Sequence, residues 1–156
     1  MLANIAGCVV VTGDAASTRA LAARLAANAA AGDVLALHGP LGAGKTEFAR
    51  GFARGLGVAG SISSPTFVLM AEHDGRLPLF HLDAYRLAGA DDAYASGLLD
   101  ERRADGVTII EWAERLGSAL PAGHLAVTID GAGDDPRTIT LRATDARHGR
   151  FLEALR

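Results

Sequence analysis

Val34-Leu35-Ala36-Leu37-His38-Gly39-Pro40-Leu41-Gly42-Ala43-Gly44-Lys45-Thr46 is the stretch from which the fold can be read. Its first five residues are a short apolar run, the pattern of a buried strand. A glycine-rich turn follows, and the residues from about Lys45 to Gly55 read as a helix. The turn fits G-x-x-x-x-G-K-[ST], a loop whose backbone N–H groups cradle phosphates between a strand and a helix. Lys45 is the only lysine in the chain, the other fourteen basic residues being arginine. Lysine is a compact point charge on a thin stem, whereas arginine is a planar fork. An ordinary glycine-rich turn would have no reason to place that one ammonium at the required position.

Working outward, Cys8–Thr12 reads as a strand. Asp14 or Ser17 can cap a helix running to about Ala31, with Gly32 as its terminator. On the other side, 57–65 reads as loop. Thr66–Glu72 and Leu77–Leu82 flank Asp74-Gly75, a hairpin signal. Asp91–Arg103 has a helical pattern interrupted at Gly97, and Val107–Ile110 is a second buried strand. Leu125–Ile129 and Thr138–Leu141 form another hairpin, and Asp145–Arg156 closes as a short helix. Strands joined partly by helices and partly by hairpins imply a mixed parallel and antiparallel sheet with helices on both faces. The expected fold is therefore α/β, a P-loop NTPase-like three-layer sandwich, with residues 1–156 forming one domain.

The bulk numbers set limits. A length of 156 residues suits one domain, and 49% hydrophobic with 21% charged residues is ordinary for a soluble globular chain. The net charge of −3 gives no general reason for tight nucleic-acid or acidic-membrane binding. A single cysteine, Cys8, cannot form an internal disulfide and suits a reducing compartment. No apolar run reaches a membrane span and the start lacks a basic signal region, so a cytoplasmic location is expected.

In the loop, Leu41, Gly42, Ala43, Gly44, Lys45 and Thr46 would wrap the phosphates. Lys45 would bridge the β- and γ-phosphates of a nucleotide, and the Thr46 hydroxyl would ligate Mg²⁺. Such a site also needs a carboxylate at the end of a buried strand. Asp83 and Glu111 both qualify, each carried to the strand edge where ligands of open α/β sheets bind. Spacing does not rank them. Thr66, in Ser63-Ser64-Pro65-Thr66, lies where nucleotide switches can carry a γ-phosphate-sensing threonine; a plain turn would look the same. Arg86 could neutralise charge or lie on the surface. Trp112, the only tryptophan, either packs under a nucleotide or anchors the sheet. His81 alternates with Asp83 on one strand face, so a bond from it to the site is possible. Glu47 is expected on the outer side of its helix, and His38 as a packed strand-end residue. Segments near Asp14–Ser17 and Gly131–Arg137 could line an adenine pocket.

Several markers occur in order: Gly32-Asp33-Val34, Leu41-Gly42-Ala43-Gly44-Lys45-Thr46, Arg50-Gly51, Ser64-Pro65-Thr66-Phe67, His81-Leu82-Asp83-Ala84-Tyr85-Arg86-Leu87 and Glu111-Trp112. Together they resemble the TsaE/YjeE ATPases of bacterial threonylcarbamoyladenosine (t6A) tRNA modification, from Gly13 to about Leu141. The resemblance implies phosphate and magnesium binding by Lys45 and Thr46, and a magnesium carboxylate at Glu111. It makes Asp83 a second functional acid and Thr66 a switch-like threonine. It further implies slow ATP hydrolysis with two partner proteins, a TsaB-like protein and a TsaD-like transferase. The transferase modifies an adenosine of tRNAs reading codons that begin with A, so tRNA is reached through the complex. The chain departs from the family pattern at Pro40, Glu47 and Ala113. Of these, Glu47 removes a hydroxyl near the phosphates.

Two other readings share the loop. A small-molecule kinase would need an acceptor pocket and an arginine-bearing lid, for which Arg102-Arg103 is a poor candidate. A GTP-dependent switch would need a guanine-reading N-K-x-D element, which the sequence does not contain.

Overall fold

The computed structural model describes residues 7–63, 70–97, 99 and 104–155. Seven strands form one sheet: β1 (Gly7–Thr12), β2 (Val34–His38), β3 (Met70–His73), β4 (Leu79–Asp83), β5 (Val107–Glu111), β6 (Leu125–Asp130) and β7 (Arg137–Ala143). Their spatial order is β1-β7-β6-β2-β5-β4-β3. The central four, β6-β2-β5-β4, run parallel, and antiparallel neighbours extend both sides. The mixed sheet expected from the sequence is what forms.

Alternation along the central strands splits the core in two. Leu35 and Leu37 of β2 and Val107 and Ile109 of β5 point to one face. That face is covered by α1 (Ala15–Ala26), α2 (Lys45–Gly55) and α4 (Arg150–Glu153). Val34, Ala36 and Ile110 point to the other, under Ala93 of α3 (Ala90–Ser96) and the 3₁₀ turns of Ala113–Ala119. Three layers result. The α2 helix buries Phe48, Ala49, Phe52 and Ala53, the spacing of one helical face. Each buried phenyl ring contributes about 1.5–3 kcal/mol. Gly51 lets α1 come close, since a Cβ there would lie 2.1 Å from the Arg19 carbonyl oxygen.

Some boundaries differ from the sequence expectation. The α1 helix begins as expected, with Asp14 accepting from the Ser17 N–H at 2.7 Å, but ends at Ala26 rather than Ala31. Asp33 explains the early stop: its carboxylate takes the Ala30 N–H at 2.7 Å, closing a turn that competes with further helix. The closing helix is reduced to four residues for a related reason. Asp145 accepts from the backbone and the ring of His148 at 2.9 and 2.7 Å, holding 145–149 as turns. The α3 helix stops at Gly97, which takes a left-handed φ of 66°. The 3₁₀ turns after Trp112 were not anticipated. The Thr66–Leu69 part of the first hairpin strand and Arg102-Arg103 fall outside the described residues.

Candidate functional site

Parallel strands ending together create the site. In the register, Asp83 of β4 pairs with Glu111 of β5, and Glu111 with Leu37 of β2, one residue before β2 ends. Both carboxylates the sequence could not rank therefore reach one sheet edge, beside the loop that leaves His38.

The loop turns on glycines. Gly39 (φ 146°) passes so near β6 that a Cβ would lie 2.4 Å from the Ile129 carbonyl oxygen. Gly44, at φ 112°, starts α2 without a side-chain cap, so the first helical N–H groups rely on a ligand or solvent. Several loop carbonyls are bound from within the protein. Lys45 Nζ donates to the carbonyls of Gly39 and of Pro40 (3.0 Å). From β7, Arg137 donates to the carbonyls of Ala43 (2.9 Å) and Gly42 (3.3 Å), and to Gly133 and Asp135 of its own hairpin. Arg137 thus props the loop from outside the motif. The sequence reading named only its segment, as a possible adenine neighbour, because a contact across 94 residues leaves no local pattern.

Lys45 is buried at 5% exposure, and a buried ammonium needs compensation. The loop carbonyls supply part, and the Trp112 ring supplies more, its centroid 3.7 Å from Nζ. Burial pushes the Lys45 ammonium below its ordinary value, while the charges of Glu114, Glu111 and Asp83 pull it back up. Trp112 holds a left-handed backbone (φ 58°), the one such non-glycine conformation among the described residues. Its ring meets Tyr85 with centroids 4.9 Å apart. Trp112 therefore does more than anchor the sheet.

Glu111 is the hub. One carboxylate oxygen accepts from the Thr46 hydroxyl at 2.8 Å, the other from His81 Nε2 at 2.6 Å. A carboxylate only accepts, so His81 Nε2 carries the proton. The imidazole is fully buried, and its Nδ1 finds no partner among the described residues. Asp83 accepts from the Tyr85 N–H at 2.9 Å, which fixes the turn leaving β4. Glu111, not Asp83, makes the direct contact with Thr46.

Two cavities flank the loop. One, of 420 Å³, lies among Lys45, Thr46, Asp83, Glu111, Tyr85 and Trp112. The other, of 290 Å³, lies among Asp14, Ala15, Thr18 and the Gly133–Arg137 hairpin. Gly42, Gly44 and Glu47 belong to both. The second is where the sequence placed a possible adenine pocket.

The expectation for Glu47 changes. Glu47 is not on the outer side of its helix: it lines both cavities and is held by Arg19 and Arg50, each at 2.6 Å. Helical periodicity alone could not anticipate α1 bringing Arg19 across. His38 is half-buried and pairs with Glu114 at 3.2 Å. Arg86 is exposed. Thr66, the expected switch threonine, lies outside the described residues.

The seven-stranded sheet and the glycine loop at the end of β2 define a P-loop NTPase-like α/β protein. Comparison narrows this further. Residues 12–139 match the model of the family described as threonylcarbamoyl adenosine biosynthesis protein TsaE. The chain is 45% identical to the Bacillus subtilis tRNA threonylcarbamoyladenosine biosynthesis protein TsaE over 139 residues, covering 88% of this chain and 87% of that one. It is 42% identical to the Streptomyces coelicolor TsaE, covering 83% and 92% respectively. The crystal structure of Bacillus subtilis YdiB superposes with a TM-score of 0.77 at 41% identity, covering 97% of this chain and 95% of that chain. The chain belongs to the TsaE family.

Proposed function

We propose that the protein is a Mg²⁺-dependent ATPase of t6A tRNA biosynthesis, slow on its own. It works in the cytoplasm with a TsaD-like transferase and a TsaB-like partner, and meets tRNA through them. The biosynthetic role rests on family membership. The ATP reading rests on one observation above others: the Thr46 hydroxyl and the Glu111 carboxylate meet at 2.8 Å beside the phosphate-type loop and its ammonium.

The residues present fit the nucleotide and its metal. Thr46 and Glu111 offer hard oxygen donors, the ligand type Mg²⁺ takes alongside phosphate oxygens. When bound, Mg²⁺ neutralises charge on the β- and γ-phosphates. Thr46 and Glu111 would hold it, and Asp83 across the strand pair would orient water or tune the metal's surroundings. Lys45 would exchange its carbonyl partners for phosphate oxygens, a stronger charge-assisted bond. The uncapped start of α2 adds unpaired N–H groups and a positive dipole end. The 290 Å³ cavity on the far side of the loop would take the nucleoside. Catalysis by such groups is positioning and charge stabilisation.

The test is calorimetric titration with MgATP together with phosphate release, alone and with the two partner proteins. Wild type should bind and hydrolyse slowly, and Lys45→Ala should lose both. Undiminished ATPase activity in Lys45→Ala would overturn the assignment, as would preference for GTP or a stoichiometric phosphorylated small acceptor.

A further inference from the structure

Glu47 is an anion lining both cavities that flank the loop, in the first turn of α2. The positive end of that helix favours either this carboxylate or a bound phosphate, so the two compete for it. The structure resolves the conflict with guanidinium groups. Arg19, from α1, donates to Glu47 Oε2, and Arg50 donates to Oε1, both at 2.6 Å. Arg50 is also tied to the Ile62 carbonyl at 2.7 Å, so it has a second task in fixing the chain beyond α2. Among the described residues Arg19 has no second bond of that kind. Both arginines and Glu47 itself also line a third cavity, of 350 Å³, completed by Arg54, Gly60 and Ser61. Both carboxylate oxygens of Glu47 are thus engaged by guanidiniums that line this third cavity and neither of the two cavities flanking the loop.

The three side chains are 28–34% exposed. Partly exposed ion pairs contribute little to folding, about 0–1 kcal/mol. What this pair of contacts does control is where a full negative charge sits relative to the cleft.

We propose that Arg19 is an affinity-setting positioning residue, holding Glu47 off the phosphate loop so that the cleft accepts a polyphosphate. Two guanidiniums against one carboxylate leave the group net positive. Without Arg19 it is neutral, and one carboxylate oxygen is free to turn toward the anion. The inference rests on the ATP reading above.

A double-mutant cycle with MgATP as the probe tests it. Arg19→Ala should weaken MgATP binding by about three- to ten-fold, the size of one partly screened charge contact. Glu47→Gln should bind at least as tightly as wild type, and Arg19→Ala added to it should cost less than about two-fold. The Arg19→Ala loss should shrink at high salt, which a packing defect would not do. An equal loss in both Glu47 backgrounds, or a loss indifferent to salt, overturns the proposal. Melting curves of each variant establish that binding is read on folded protein. Lys45→Ala run in parallel separates the two levels. If it keeps MgATP, the nucleotide reading fails and this inference with it. If it loses MgATP while Arg19→Ala matches wild type, only this inference fails.

Discussion

Two buried carboxylates stand at opposite ends of the parallel strands, and the protein treats them differently. Asp33 precedes β2 and is fully buried. It receives Arg147 at 2.9 Å, Arg150 at 2.7 and 2.9 Å, and the Ala30 N–H at 2.7 Å. Glu111 ends β5 at 3% exposure and receives a threonine hydroxyl and a histidine, with no guanidinium bonded to it among the described residues. Two full positive charges and a backbone donor satisfy Asp33 within the fold. Glu111 is instead bonded by a hydroxyl and an imidazole, with the Lys45 ammonium close enough to feel its charge, and its oxygens line the cavity beside the loop. The first acid closes the molecule, tying the C-terminal residues to the turn after α1. The second faces the cavity beside the loop.

The largest expected effect breaks this contrast at the Glu111 end. Glu111→Gln keeps shape and hydrogen bonding, so melting should move by no more than about 1 kcal/mol of stability. Phosphate release should fall on the order of 100-fold or more, the scale of removing one preorganised charge-stabilising group. The reverse pattern is expected at the other end. Asp33→Asn should cost about 2–4 kcal/mol in a denaturant melt, since it strips two arginines of their acid and disturbs a satisfied buried cluster. MgATP affinity of the folded fraction should stay near wild type. A variant of Asp33 that folded well but lost ATPase activity would dissolve the distinction.

A smaller effect sharpens it. His81 is fully buried and bonded to Glu111 at 2.6 Å, so it fixes the carboxylate's orientation. His81→Ala should reduce phosphate release about ten-fold and raise the Mg²⁺ concentration needed, as loss of a ligand-orienting partner does. His81→Gln, which keeps a donor, should recover part of that loss. An unchanged Mg²⁺ dependence in His81→Ala would reduce His81 to a packing residue.

How much of this could be read from the sequence depends on distance along the chain. The loop, the strand before it and the helix after it are contiguous, and each constrains the next, so glycine spacing and one lysine sufficed. The strand-end acids were legible as candidates because apolar runs end on them. Their ranking was not, because it depends on Thr46 reaching across 65 residues to Glu111. Arg137 under the loop, Arg19 on Glu47 and Arg147 on Asp33 were hidden for the same reason: a side-chain bond between remote elements has no period. The shortened α1 and closing helices were misread because Asp33 and Asp145 offered the backbone a competing turn. Helix propensity does not register that competition.

The smallest expected effect concerns pH and belongs at the Asp33 end. His124 precedes β6 there, since Leu125 pairs in register with Leu35. Its ring Nδ1 donates to the Pro121 carbonyl at 2.7 Å, and burial pushes the imidazole below its ordinary value despite that bond, which pulls the other way. The unfolded chain thus takes up a proton at a higher pH than the folded one. Between the ordinary histidine value of 6.5 and the lower folded value, the unfolded state binds more protons, so stability rises with pH and is lost on acidification through that window. Melting temperature should fall from about pH 7.5 to about pH 5. His124→Asn, which keeps a short donor toward Pro121 but does not titrate, should flatten part of the decline. His73, likewise pushed down chiefly by burial, adds to the same slope from the far edge of the sheet. The residual slope of His124→Asn therefore measures how much acid sensitivity lies outside the closing cluster. A slope identical to wild type would remove His124 from the acid sensitivity.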